Sequence, residues 1–145
     1  MIRGFPDLPP VGAAGMALAA WGLARSVPLA PLPRAPGWGL GAAGLALILW
    51  AAWWFHARRT TIEPHGQPRA LIVEGPFRIN RNPIYTGMAL ILAGWAFVLG
   101  AAVALVPAAL FVAVVDRRFV PGEEAALRRA FGAGAEAYFR ATRRW

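Results

Sequence analysis

One uninterrupted apolar run restricts the possible folds of this chain more than any other feature. Residues 38–55 contain no charged side chain, and a helix that crosses a bilayer needs about 20 predominantly apolar residues. Trp50, Trp53 and Trp54 stand near the end of the run, where tryptophans commonly form an interfacial belt. Only 15% of the chain is charged, whereas a soluble domain carries about a quarter. The run therefore predicts a transmembrane helix.

Three further apolar segments bring the predicted number of membrane helices to four. Residues 85–99 and 101–115 are separated at Gly100, and each is short for a crossing of about 30 Å at 1.5 Å per residue. We predict a helical hairpin that is tilted or stops before the far surface, with a kink at Pro107. Residues 11–23 form either the first membrane helix or the apolar part of a secretory signal, and the count of four favours the helix. The predicted fold is an all-α polytopic membrane protein with a cytoplasmic C-terminal helical segment.

The arginines indicate how these helices are oriented. All fifteen basic residues are arginine, and four helices place every one except Arg25 and Arg34 on the same side. By the positive-inside rule that side is cytoplasmic, so both termini are expected in the cytoplasm. The polar segments 56–82 and 116–145 then share one membrane face, where we expect the chemistry.

Composition excludes several other kinds of site. The chain has no cysteine, so disulfides, thiolate catalysis and cysteine metal sites are ruled out. His56 and His65 have no carboxylate at ligand spacing, and we predict no metal site. The net charge of +8 does not indicate nucleic acid, because the arginines flank apolar runs. The glycine-rich residues 37–41 open an apolar helix without a preceding strand, which predicts close helix packing and not a dinucleotide loop.

The boundary between a polar connector and the third apolar run reads GPFRINRNPIYTG, residues 75–87. Pro83 suits the first turn of a helix, and Asn82 before it is a favoured N-cap, so a helix is predicted to begin at Pro83. Arg78 and Arg81 then lie at a positive helix end suited to anionic groups. The alternative is an interfacial cap whose arginines extend to the bilayer surface.

A second polar segment carries a pair of acids, Glu123 and Glu124. We place both in the first turn of a helix, where acids suit the helix dipole, and Arg128 completes an i,i+4 pair with Glu124. Leu127 and Phe131 supply an apolar stripe. The alternative is an amphipathic helix on the membrane surface whose glutamates are only solvated.

Together these two segments resemble the signatures of an integral-membrane superfamily, that of isoprenylcysteine carboxyl methyltransferase and phospholipid methyltransferase, in its bacterial branch. The resemblance covers about residues 61–145 of the chain, and its bacterial branch implies a location in the plasma membrane of a bacterium. Asn82 stands where the family often has His, and Ala135 where a Tyr is frequent. The matching residues are 75–78 and 81–87 in the first signature, and Glu123, Glu124, Leu127, Phe131 and Gly132 in the second.

The resemblance implies that S-adenosylmethionine binds between the two segments. Carboxylates suit its ribose diol and ammonium, an aromatic or apolar slot suits its adenine, and an arginine suits its carboxylate. Glu124 is the first expected carboxylate ligand. A single domain of residues 1–145 is predicted, in which 1–55 supply two membrane helices and 56–145 the cofactor-binding part. The implied cofactor-binding residues are Leu71, Ile72, Phe77, Arg81, Asn82, Pro83, Tyr85, Glu123 and Glu124.

The methyl acceptor is expected to be borne by a lipid, because the site opens beside the hairpin at the bilayer surface. A carboxylate on a lipidated or isoprenoid group would be bound by Arg117 or Arg118, by analogy with the family, whereas an amine headgroup would have to lose a proton. The sequence leaves both open. The alternatives are a membrane reductase with a nicotinamide cofactor and a non-enzymatic packing subunit. A drug exporter is discounted because none of the four apolar runs contains a carboxylate.

Overall fold

The computed structural model describes residues 8–27, 30–60 and 68–145, so that His65 lies outside the described residues. Within these ranges the chain is all-helical, as predicted, and extended pairing is limited to two isolated β-bridges. The α-helices are α1 (Pro9–Ser26), α2 (Ala35–Ala57), α3 (Pro83–Leu99), α4 (Leu105–Arg118), α5 (Val120–Phe131) and α6 (Ala133–Ala141). Two short 3₁₀ helices, Gly75–Arg78 and Ala102–Ala104, precede α3 and α4.

Helix α3 is the central helix, and it packs against α1, α2 and α4. It approaches α2 closely because glycines face each other at two levels. A Cβ atom added to Gly44 would lie 2.5 Å from the carbonyl oxygen of Gly87, and one added to Gly37 would lie 2.6 Å from that of Gly94. The two helices run antiparallel, since the residue number rises along one as it falls along the other. The predicted close packing of residues 37–41 is thus confirmed at the first glycine of that segment.

The described parts of the α1–α2 and α3–α4 connections lie together at one end of the bundle. The backbone N–H of Leu32 donates to the carbonyl oxygen of Gly100 at 3.0 Å, and Pro31 forms an isolated antiparallel bridge with Ala101. Gly100 has φ 72°, a left-handed conformation that glycine adopts without strain, and it ends α3 where the sequence predicted a break. The start of α1, the end of α2, the start of α3 and α5–α6 therefore lie at the opposite end.

Among the described residues, one helix, α2, is long and apolar enough to cross a membrane. It has 23 residues, and most of its apolar window is not covered by the rest of the protein. Helix α3 is also apolar but has only 17 residues, which corresponds to a length of about 25 Å. Large apolar side chains of α2 that remain exposed are Trp38, Leu45, Leu49, Trp50 and Trp53.

The predicted kink at Pro107 is wrong. Helix α4 begins at Leu105, after the 3₁₀ helix Ala102–Ala104, so Pro107 lies in its first turn. The backbone N–H groups of a first turn have no partner within the helix, and a proline there removes no hydrogen bond. Pro107 therefore helps to start α4 instead of bending it.

The region after residue 115 is helical, as predicted, but only as far as Ala141. Helix α4 extends through Asp116 to Arg118, and α5 and α6 are separated at Gly132, which has φ 50°. Beyond Ala141 the backbone is extended, and Arg143 forms a parallel bridge with Asn80. Residues 142–145, which we call the terminal segment, are therefore fixed against the start of α3.

Candidate functional site

A cavity of about 350 Å³ lies at the end of the bundle where the two polar segments meet. Its wall is formed by the start of α1, the end of α2, residues 68–72, the 3₁₀ helix Gly75–Arg78, the start of α3, and parts of α5 and α6. Its volume is within the range of roughly 300–1,000 Å³ that ligand pockets occupy. Segments 56–82 and 116–145 thus contribute to a single site.

The structure brings the expected cofactor-binding residues together, with one exception. Glu124 does not line the cavity, although its neighbour Glu123 does. Arg117 and Arg118, expected to bind the acceptor, are not in the lining either, and Arg118 borders a separate groove of about 220 Å³ between α1 and α4. The expected residues that line the cavity are Leu71, Ile72, Phe77, Arg81, Asn82, Pro83, Tyr85 and Glu123.

The start of α3 supplies several of these residues, and its geometry differs in part from the expectation. Helix α3 begins at Pro83, as predicted, but the side chain of Asn82 makes no cap hydrogen bond. Its Nδ2 instead donates to the carbonyl oxygen of Arg144 at 3.0 Å. Thr86 Oγ1 donates to the carbonyl oxygen of Asn82 at 3.0 Å. Asn82 therefore occupies the N-cap position, as predicted, but the prediction that its side chain caps the helix is wrong, because that side chain binds the terminal segment.

The polar side of the cavity is formed by Glu123 and Tyr85, whose hydroxyl donates a hydrogen bond to the Glu123 carboxylate. Burial raises the pKa of Glu123 from 4.5 to about 7; the hydrogen bond from Tyr85 opposes this shift, and the charge of Glu124 adds to it. A partly buried carboxylate of this kind is a suitable acceptor for a hydroxyl or ammonium group of a ligand.

The apolar side of the cavity is formed largely by Ile72, Phe77 and Tyr138, all of which are buried. The hydroxyl of Tyr138 donates to the carbonyl oxygen of Phe77 at 2.7 Å and so ties α6 to the 3₁₀ helix. Phe55 packs edge-on against Phe77, with ring centroids 5.3 Å apart. Such a surface can hold a flat aromatic group of a ligand.

Glu124 points away from the cavity into a group of arginines. Arg144 binds it through two parallel hydrogen bonds, Nε to Oε1 at 2.9 Å and Nη2 to Oε2 at 2.8 Å. Nη1 of Arg81 lies 3.1 Å from Oε1, and Nη1 of Arg128 lies 4.0 Å from Oε2. Glu124 is only 8% exposed, and its charge is compensated by these side chains.

Several lining residues were not predicted. Tyr138, Met88 and Ala126 are not among the residues that the resemblance implies, and Leu127 was predicted only as part of an apolar stripe. The start of α1, at Leu8 and the prolines after it, also borders the cavity. Sequence order gives no signal for that contact, since α1 reaches the site only through the packing of the bundle.

Comparison with models of protein families shows the family to which the chain belongs. The model of the phospholipid methyltransferase family matches residues 33–134, which is more than two thirds of the chain and includes most of the cavity wall. The chain belongs to the phospholipid methyltransferase family. This family comprises membrane-associated methyltransferases that act on phospholipids. The resemblance inferred from the two signatures is thus confirmed, although no curated protein and no solved structure matches the chain.

Proposed function

We propose that this phospholipid methyltransferase family member transfers a methyl group from S-adenosylmethionine to an acceptor borne by a membrane lipid. The observation that carries the proposal is the convergence of two distant signature segments on one cavity. Arg81 and Tyr85 of the first and Glu123 of the second line it together.

The residues of the cavity fit the chemical groups of this cofactor. Glu123 can accept hydrogen bonds from the ribose hydroxyls or the ammonium, and Ile72 and Phe77 can hold the adenine. Nε of Arg81 is buried and has no hydrogen-bond partner among the described residues, and a ligand carboxylate would supply one. When bound, the cofactor provides an electrophilic methyl group on a sulfonium centre. The contribution of the chain is to orient the acceptor and to exclude water.

The acceptor is proposed to enter from the lipid. An amine headgroup is supported by the family to which the chain belongs. A carboxylate acceptor has less support, because Arg117 and Arg118 lie outside the cavity. Glu123, with a pKa of about 7, is a group in the cavity that could take a proton from an ammonium headgroup. Assays with phosphatidylethanolamine vesicles and with an isoprenylated cysteine would distinguish the two acceptor classes.

The proposed arrangement is four membrane helices with both termini in the cytoplasm of a bacterium. It is supported by the antiparallel order of α1–α4 and by the apolar side chains that α2 and α4 expose, which include Leu49 and Leu110. Arg25 and Arg34 lie near the turns at the end remote from the cavity. The cavity would then open at the cytoplasmic surface of the membrane.

Calorimetric titration of the purified protein with S-adenosylhomocysteine tests the proposal. We expect saturable binding that is weakened about tenfold to hundredfold by Glu123→Gln, because a charge-assisted hydrogen bond contributes about 1.5 to 3 kcal/mol. Glu136→Gln is the matched control, since Glu136 lies on α6 beside Arg128 and does not line the cavity. Absence of binding by the wild-type protein would refute the proposal, and saturable binding of a nicotinamide dinucleotide instead would favour the reductase.

A further inference from the structure

The side chain of Arg81 reaches the cavity wall, and three charged residues behind it hold it there. Glu124, Arg144 and Asp116, which we call the rear cluster, do not line the cavity. Glu124 Oε1 lies 3.1 Å from Nη1 of Arg81 and accepts a hydrogen bond from Nε of Arg144 at 2.9 Å. Arg144 Nη1 in turn lies 3.2 Å from Oδ1 of Asp116. The cluster thus forms a continuous path from Asp116 to the cavity-facing arginine.

The terminal segment also fixes the backbone from which Arg81 extends. The backbone N–H of Arg81 donates to the carbonyl oxygen of Arg143 at 2.8 Å. The next residue, Asn82, donates from its side chain to the carbonyl oxygen of Arg144 at 3.0 Å. The Arg81 guanidinium also lies over the ring of Phe139, 4.8 Å from its centroid. Both the backbone and the side chain of Arg81 are therefore oriented by residues close to Arg144.

The balance of charge explains why the cluster needs two acids. Arg81 and Arg144 share one carboxylate, Glu124, and the second positive charge is compensated by Asp116, which also accepts a hydrogen bond from Trp145 Nε1 at 2.8 Å. Glu124 lies within ion-pair distance of Nη1 of Arg81, whereas Nε of Arg81 has no hydrogen-bond partner among the described residues. Arg81 thus keeps the capacity to bind an anionic group of a ligand.

We propose that Arg144, acting through Glu124, is a positioning residue that holds the Arg81 guanidinium ready for the carboxylate end of the ligand. This inference rests on the proposed function. It assigns the two adjacent glutamates different tasks: Glu123 contacts the ligand, and Glu124 orients the arginine that does so. It also gives a role in ligand selection to a residue beyond the part of the chain that the family model matches.

The affinities for two ligands can distinguish a positioning role of Arg144 from a general effect of Arg144 on the stability of the fold. S-adenosylhomocysteine carries an amino-acid group, whereas 5′-methylthioadenosine has the same nucleoside thioether without it. In Arg144→Lys the charge remains, but the planar bidentate contact is lost. We expect its affinity for S-adenosylhomocysteine to fall about tenfold, the order expected when a charge-assisted hydrogen bond is lost, while its affinity for 5′-methylthioadenosine stays within about twofold. Arg81→Lys should show the same selective loss.

Arg129→Lys is the matched control, since Arg129 is an exposed arginine of α5 that does not line the cavity. If Arg144→Lys does not fold, Asp116→Asn removes a partner of Arg144 while leaving Glu124 in place, and a smaller loss with the same selectivity is expected. Equal loss for both ligands, or a lower melting temperature with unchanged affinities, would overturn the inference. If the wild-type protein binds both ligands equally, the role of Arg81 is refuted but the proposed function is not. If the wild-type protein binds neither ligand, the proposed function itself is refuted.

Discussion

Glu123 and Glu124 are adjacent in α5, yet among the residues that the structure describes their carboxylates have no partner in common. Glu123 accepts a hydrogen bond from Tyr85 at the cavity, and Glu124 is held by Arg144 and Arg81 outside it. Two residues that form one acidic pair in the sequence thus differ in environment, in partners and in expected function. Substitutions of the two should therefore have different consequences.

Glu124→Gln should destabilise the fold more than Glu123→Gln does. The amide cannot accept both charge-assisted bonds from Arg144, and loss of such a bond lowers the free energy of unfolding by about 1.5 to 3 kcal/mol. Glu123→Gln removes a carboxylate whose charge is disfavoured by burial, so its stability at pH 8 should equal or exceed that of the wild type. Unfolding in detergent, monitored by circular dichroism, measures the stability of the two variants. Equal destabilisation by the two variants would contradict this assignment.

The pH dependence should identify Glu123 as the titrating group. Its pKa in the folded protein is raised to about 7 from 4.5, so the folded state binds the proton more tightly than the unfolded chain. The contribution of Glu123 to stability is therefore complete below pH 4.5 and decreases as the pH rises towards 7. Affinity for S-adenosylhomocysteine should change in the opposite direction and increase towards pH 8, because the ionised carboxylate is the better acceptor. In Glu123→Gln, neither the stability nor the affinity should show this dependence on pH.

Asn82→Asp tests the contact between α3 and the terminal segment. An aspartate would serve equally well as an N-cap, but it cannot donate the hydrogen bond that Asn82 Nδ2 makes to the carbonyl oxygen of Arg144. It would also place a carboxylate against a carbonyl oxygen, so we expect a loss of about 1 to 3 kcal/mol in the free energy of unfolding. Ile79→Asp, at an exposed position three residues before Asn82, controls for the added charge. Unchanged stability of Asn82→Asp would restore the capping role.

The glycine contacts between α2 and α3 should tolerate no methyl group at Gly44. A Cβ atom there would lie 2.5 Å from the Gly87 carbonyl oxygen, and such overpacking destabilises by about 1 to 3 kcal/mol. Gly41→Ala is the matched control in the same helix, since a Cβ atom at Gly41 meets no atom within 4 Å. The measurement is the melting temperature of each variant in detergent. If Gly44→Ala is as stable as Gly41→Ala, the two helices are not held in this register.

Topology can be tested with reporter fusions. The proposed arrangement places Pro31 on the side away from the cytoplasm and Trp145 in the cytoplasm. Alkaline phosphatase fused at Pro31 should therefore be active, and the same reporter fused after Trp145 should be inactive. Fluorescent protein fusions at the same positions should give the reverse pattern. If both fusion sites report the same compartment, the number of membrane helices is not four.

The sequence predicted the positions of α2 and α3 well because the limits of these helices depend on local signals. Pro83 begins α3 and Gly100 ends it, and each acts through its own backbone geometry. The apolar run at residues 38–55 lies within α2, which the structure extends to Ala35–Ala57. The cavity residues of the first signature were also found from the sequence, although they were implied by the resemblance and not by spacing.

The roles of Asn82 and Glu124 could not be predicted in the same way. Asn82 contacts Arg144, which lies 62 positions later in the chain, and Glu124 contacts Arg144 across 20 positions. No helical period connects such partners, and local preference favours an N-cap for Asn82 and a solvated acid for Glu124. Both residues contact the terminal segment, and the position of that segment depends on the packing of α5 and α6 against the start of α3.

The opposite orientation of two neighbouring glutamates makes α5 sensitive to rotation. Each residue turns a helix by about 100°, so deletion of one residue between Phe119 and Glu123 would rotate both carboxylates away from their present partners. A shift of that kind would direct Glu124 towards Tyr85 and leave the guanidinium of Arg144 facing an alanine. Length changes in the short connection between α4 and α5 should therefore abolish ligand binding even where composition, charge and helix content are all preserved. The rotation of α5 about its own axis therefore determines which of the two glutamates lines the cavity.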